Sequence, residues 1–276
     1  METPTDQIQP ILNTAIQLTQ AGKYEEVITA LTPAIKLYND GFYNDDADSE
    51  YHYLDAGFEQ ILFQNFYQPT KTVRFMPIDF SAIFTTIGQA YMVLGQFTEA
   101  KDAFATALKI NPFQFIAIFG IANIDKLEGH NEHARKTLND GLILAYMPAQ
   151  IAQTYHEMAK LYLDQGVVGM GIALLELSLR FQDDEKIMHE LDQLQAVNPD
   201  VSLGDESTEW WQMVEDAGIQ VGPSTDVIAI AMGVAKSAVQ NQELALALEV
   251  LQLVYDLTSD ERVLESINTI KVNLEA

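Results

Sequence analysis

The chain has no cysteine, and of its 276 residues only 15 are lysine or arginine, five are histidine and two are tryptophan. Without a thiol there is no disulfide, no thiolate nucleophile and no cysteine-ligated zinc, which fits a reducing compartment and makes the cytoplasm the expected location. The few basic residues face 40 acidic ones, so the formal net charge is −25. A surface of that sign repels nucleic acid and anionic membranes, and neither is expected as a partner. Long apolar runs are missing too. A stretch such as residues 227–235 falls far short of the roughly 18 residues a membrane-spanning helix needs. The opening METPTDQIQP has neither a basic region nor an apolar core, so no secretory leader is expected.

Signatures of catalysis are equally scarce. There is no Gly-x-Ser-x-Gly, no glycine-rich phosphate loop ending in Lys-Ser/Thr and no His-Glu-x-x-His, so neither an enzyme nor a cofactor is expected. His130 and His133 share one side of a turn, but two histidines without a third ligand read as solvated turn residues rather than a metal site. His52 and His189 are isolated. In the run Asp45-Asp46-Ala47-Asp48-Ser49-Glu50, a calcium loop starting at Asp46 would need glycine where Tyr51 stands and glutamate where Gly57 stands. The run reads instead as a solvated, mobile acidic loop, with a basic partner segment as its functional alternative.

What the chain does carry is a repeat. Residues 81–112 contain Phe84-x-x-Ile87-Gly88-x-x-Tyr91, then Ala100-x-x-x-Phe104, then Pro112. Gly88 and Ala100 are small where paired helices approach, while Phe84, Ile87, Tyr91 and Phe104 fill the seam between them. Gly95 suits a left-handed cap at the end of the first helix, and Pro112 stops the second. The pattern resembles the tetratricopeptide repeat, W-x-x-L-G-x-x-Y…A-x-x-x-F…P. That resemblance implies an all-α, right-handed superhelical solenoid of helix pairs acting as a protein-interaction module. With the acidic loop, the Pro-Thr-Lys-Thr-Val-Arg segment and the C-terminal Tyr-Asp-Leu-Thr, it extends to bacterial repeat proteins of unassigned activity.

Tracing the same roles outward predicts four regions. Residues 1–40 form a first repeat-like unit, in which Pro33 should shorten or bend the second helix. Residues 41–80 are a non-repeat insertion: the acidic loop, a helix over about 51–67, and an extended stretch bounded by Pro69 and Pro77. A central array spans 81–182, with extra length at Tyr146-Met147-Pro148. Degenerate helix pairs over 183–276 end in a capping helix whose narrow apolar stripe is Val263, Ile267 and Ile270, as the water-facing end of a solenoid requires.

In this fold the first helix of each repeat lines the concave surface, so the partner-binding candidates lie between the seam residues: Thr85, Gln89 and Met92, then Phe119, Asn123 and Lys126, then His156 and Lys160. Lys126 and Lys160 are scarce cations suited to a carboxylate, and Asn123 to an extended peptide backbone. Chaperone-binding members of the family hold a terminal carboxylate in a clamp; Asn123 falls at one clamp position, whereas Thr85 and Gln153 replace basic ones. The expected partner is a protein or peptide, with the acidic outer field favouring basic segments. The alternative is a peptide-sensing regulator resembling the repeat part of bacterial pheromone receptors, without a DNA-binding domain because the first repeat starts near Ile8. Lys71 and Arg74 are expected to pin the extended stretch internally, or to meet a partner. Trp210 is expected in the core, and Trp211 on the flank of its helix or against a partner.

Overall fold

The computed structural model describes residues 4–41, 43–55, 57–199, 201 and 208–275. It is all-α: helices dominate, and the sole sheet among the described residues has two short strands. Two compact units are formed, residues 1–134 and 135–276.

In the first unit α1 (Pro4–Gln20) pairs with α2 (Tyr24–Asp40), and α4 (Phe80–Val93) pairs with α5 (Phe97–Ile110). α6 (Phe115–Leu127) then packs on both members of the second pair, and α4 also packs on α2. One turn geometry joins the helices of a pair. At Gly95 the backbone turns left-handed, at φ +73°, and the Gln96 N–H reaches back to the Tyr91 carbonyl at 2.9 Å. This satisfies carbonyls that a helix end would otherwise leave open. The same six-residue bond follows Gly22, Gly129 and Gly166, and Gln242 adopts the turn without being glycine.

The seam explains the small residues. Phe104 is fully buried between α4 and α6: a Cβ on Gly88 would come within 2.6 Å of its ring, and one on Gly120 closer still. Around it Phe80, Ile83, Ala100, Ala107, Ile110 and Ile124 form one core with Val27, Leu31 and Ala34 of the first pair.

Two local expectations need correction. α2 is not shortened at Pro33 but continues through it to Asp40; its buried residues Val27, Leu31 and Ala34 bind the helix on both sides of the proline, and that packing outweighs the missing backbone donor. The helix expected over 51–67 begins only at Phe58. Ser49–His52 is strand β1, α3 is Phe58–Tyr67, and Thr72–Phe75 is strand β2. The strands pair in parallel with Tyr51 opposite Arg74, and α3 supplies the crossover that parallel strands require.

In the second unit α8 (Pro148–Asp164) pairs with α9 (Val168–Phe181), on which α10 (Glu185–Val197) and α11 (Thr208–Asp216) also pack. α12 (Thr225–Gln240) pairs with α13 (Leu244–Thr258), covered by α14 (Glu261–Glu275). The boundary between the two units falls within the residue range of α7 (Asn131–Leu144). Val263, Ile267 and Ile270 of α14 are buried. No helix among the described residues is long and apolar enough to cross a membrane.

Candidate functional site

The first helices of the N-terminal unit present a strip that repeats every 34 residues. α4 touches three neighbouring helices, so eight of its fourteen residues are buried and only a narrow line faces out. That line is Ala82, Gln89 and Val93, with Thr86 half-buried between them. One repeat later α6 presents Ile116, Asn123 and Leu127. Three of these side chains are large and apolar yet open to water: Val93 is 56% exposed, Ile116 47% and Leu127 59%. Gln89 is exposed and Asn123 half-buried, so each helix also carries one side-chain amide. The Asn123 amide nitrogen lies 3.8 Å from Met92 Sδ, which joins the two helices at mid-strip. Lys126 is half-buried one residue before Leu127.

This geometry sorts the predicted wall. Gln89, Met92, Asn123 and Lys126 come together on it. Thr85 and Phe119 do not, since they are 3% and 8% exposed and pack beneath it. A step of one residue turns a helix by about 100°, and with neighbours on three sides that step separates surface from core. The Thr85 hydroxyl has no hydrogen-bond partner among the described residues.

In the C-terminal unit His156 and Lys160 are half-buried on α8 and engaged within the unit. His156 Nε2 lies 3.3 Å from Glu190 of α10, and Lys160 Nζ lies 2.9 Å from Glu157 one turn away.

A second cluster was not foreseen as such. Asp125 stands one repeat after Tyr91, at a seam position, and its carboxylate is almost fully buried. Lys101 of α5 donates to it at 2.6 Å and also to Glu128 at 2.6 Å. His133 bonds the other Asp125 oxygen, and His130 lies 3.5 Å from Glu128. Asp125, Glu128 and His130 offer ligand atoms within 4.8 Å of one another, but the Lys101 ammonium already faces both carboxylates. The arrangement ties α5 to the turn after α6. A charged residue at a seam position was the available signal.

Burial raises the Asp125 carboxyl, yet hydrogen bonds from Lys101 and His133 outweigh it and hold the carboxyl below the ordinary range. A group depressed in the folded state adds stability that is complete above its unfolded pKa and fades as pH falls through the folded value. Asp125→Asn is therefore expected to cost about 1–2 kcal/mol at pH 7, with a smaller gap from wild type at pH 3. Urea midpoints at the two pH values measure it, and an equal gap at both would contradict the assignment.

Comparison with known proteins bears on residues 82–113, which match the family described as Tetratricopeptide repeat. The chain therefore carries a tetratricopeptide repeat over those residues. Over 138 residues it is 27% identical to "Superkiller protein 3" of Schizosaccharomyces pombe, a match covering 47% of this chain and 10% of that protein. Among solved structures, residues 41 to the end of MamA from Desulfovibrio magneticus RS-1 are 16% identical, covering 76% of this chain and 94% of that one, with a TM-score of 0.44. The "TPR2AB-domain:pHSP90-complex of yeast Sti1" is 15% identical, covering 71% of each chain, with a TM-score of 0.39. Such loose superpositions add nothing to the repeat assignment, which rests on the match at 82–113 and the helix pairs themselves.

Outside the repeats, the acidic loop is exposed over residues 44–48, and its carboxylates also bond the local backbone. Asp46 Oδ1 accepts the N–H groups of Asp48 and Ser49 at 2.8 and 2.6 Å. Asp45 accepts the Tyr51 N–H at 3.1 Å and pairs with Lys109 at 3.1 Å, an arrangement in which the carboxylates cap their own backbone. Trp211 is half-buried with the Arg180 guanidinium 4.6 Å above its ring, so it covers the flank of α11 towards α9. The Trp210 side chain lies outside the described residues.

Proposed function

We propose that this protein is a non-catalytic scaffold or adaptor that binds a protein or peptide along the strip of its first helices. Repeat arrays of this kind are typical of protein–protein interaction. The observation that supports the reading here is the recurrence of open apolar side chains at equivalent positions, Val93 with Leu127 and Ala82 with Ile116, each line carrying one amide. Apolar groups left in water on two adjacent helices gain free energy when covered, and the amides at Gln89 and Asn123 fix the direction of an extended backbone. Met92 and Lys126 flank the strip. In the C-terminal unit His156 and Lys160 occupy the corresponding helix, where a partner would have to compete with Glu190 and Glu157. The net charge of −25 favours encounter with partners carrying basic segments. The absence of cysteine suits a cytoplasmic location.

The test compares captured partners. Whole tagged protein and its Val93→Glu, Leu127→Glu double variant are exposed to the same lysate at low salt, and retained proteins are identified by mass spectrometry. Both substitutions are at exposed positions and should change stability by no more than about 0.5 kcal/mol each. The expected result is that the partners held by wild type are lost from the variant, and that Asn123→Ala weakens the remaining affinity by about tenfold. An unchanged set of partners would refute the reading.

A further inference from the structure

α12 and α14 both pack on α13 and leave a cavity of about 480 Å³ between them. The gap stays open because Ala235 on α12 and Ser266 and Thr269 on α14 are too short to meet across it. Its floor is apolar and buried, formed by Ala235, Leu251 and Ile270. Met232 and Val239 stand at the rim two turns apart on α12, 41% and 42% exposed. A cleft of this volume with mainly apolar walls and a few polar groups has the character of a small-molecule site.

The polar groups define what the ligand must carry. Lys236 and Gln240 are one turn apart on the α12 wall, and neither side chain has a hydrogen bond or ion pair among the described residues. They are the donors of the cleft. The Ser266 and Thr269 hydroxyls donate to the Arg262 and Glu265 carbonyls at 2.9 and 2.8 Å, so the α14 wall keeps only acceptors. No carboxylate among the described residues pairs with the lysine. The one acid on α12 is Asp226, in its first turn. On α14, Glu265 precedes Ser266 by one residue and so stands about 100° round the helix, while Arg262 is paired with Asp260 at 2.6 Å. On α13, Glu249 lies about 200° round from Leu251, and Asp256 accepts from Gln252 at 2.8 Å. In a chain with 40 acidic residues, Lys236 is a cation without a counter-charge beside an apolar floor.

One anionic head on an apolar body satisfies this lining, and a second carboxylate would find no second cation. A peptide is a poor occupant, because its backbone N–H and C=O groups recur at every residue and would face Met232, Val239 and Leu251 without partners. A second copy brings the same lysine and a further charge of −25. We propose that the cleft between α12 and α14 binds a monocarboxylate with a linear apolar tail, of the fatty-acid class. Its carboxylate meets Lys236 and Gln240, and its tail lies over Leu251 and Ile270. The cleft belongs to the C-terminal unit and the strip on α4 and α6 to the other, so the two assignments can fail independently.

The test uses the full chain with methyl-labelled methionine, octanoate and decanoate as probes, and nuclear magnetic resonance as the readout. Both probes are expected to shift the Met232 methyl signal saturably and to leave that of Met92, beside the strip, unmoved. Decanoate should bind about tenfold more tightly than octanoate, because two further methylenes are covered. Lys236→Gln should weaken octanoate by at least about threefold, as loss of an ion pair near the surface implies, and leave the affinity for uncharged octanol unchanged. Lys236 is exposed, so the helical circular dichroism of the variant should match wild type. If the variant unfolds, octyltrimethylammonium on the wild-type chain decides, and it should bind more weakly than octanoate. The proposal is overturned if Met232 does not respond to millimolar decanoate, if the cationic probe binds as tightly as octanoate, or if Lys236→Gln weakens octanoate and octanol alike. It is equally overturned if Met92 and Met232 titrate together, which is indiscriminate adsorption of the probe.

Discussion

Replacing Phe104 by alanine is expected to destabilise the protein by about 3–5 kcal/mol, the range for removing a buried ring from a core that cannot collapse. The ring is fully buried, with Gly88 on one side and Gly120 on the other. Both glycines sit inside helices, where they cost roughly 0.5–1 kcal/mol each relative to alanine, and the space they leave is filled by Phe104. Once the ring is gone, neither helix has a side chain at the contact to move into the void. The cavity therefore persists, and the cost lies towards the upper end of the range. Against a total stability of about 5–15 kcal/mol, that is enough to populate unfolded chains at ambient temperature. Urea denaturation followed by far-ultraviolet circular dichroism measures it. A loss below about 1 kcal/mol would mean that α4 and α6 close on each other, and that the glycines are not held apart by the ring.

Phe104 also shows why part of the fold was legible in the sequence. Its partners follow from residue size: a glycine and an alanine at fixed offsets from aromatics specify how closely two helices approach, and the turn at Gly95 follows from a backbone angle that favours glycine. These are local rules and they held from Gly22 to Gly166. Pro33 shows their limit, because the rule against proline inside a helix is a local free energy and the buried face of α2 exceeds it. Tyr51 shows another. Its aromatic spacing suited a helix, but its pairing with Arg74 joins residues 23 apart, across a crossover that no short window reveals. The exposed strip was legible only to within one step around a helix. Gln89, Asn123 and Lys126 were placed on the strip, whereas Thr85 and Phe119 fell beneath it. Val93 and Leu127 were passed over because an apolar residue near a helix end reads as core until the neighbours on every side are known. Asp125 could not be read as an anchor without seeing Lys101 approach from α5.

Removing one oxygen from Tyr155 is expected to cost about 2–3 kcal/mol, although Tyr155→Phe leaves the ring and its packing on Phe181 in place. The side chain is fully buried on α8, and burial pushes its hydroxyl above the ordinary phenol range, so it remains protonated. It donates to the Gln220 carbonyl at 2.8 Å and accepts the Gly222 N–H at 2.8 Å. Phenylalanine leaves both backbone groups without their partner where water has little access, and an orphaned buried polar group costs more than the bond itself was worth. The segment they belong to joins α11 to α12. It is held from the same side by Arg135, whose guanidinium donates to the Ala217 carbonyl at 3.0 Å, and by Asn139, which accepts the Gln220 N–H at 3.3 Å. These bonds fasten the connection between α11 and α12, the part of the array with the most degenerate repeat pattern, to α7 and α8. The loss should consequently be local as well as global. Hydrogen exchange at the Gly222 amide is expected to accelerate more than exchange in α4 and α5 of the other unit. If Tyr155→Phe kept both the urea midpoint and the slow exchange of Gly222, the hydroxyl would not be the fastening and the loop would be held by Arg135 and Asn139 alone.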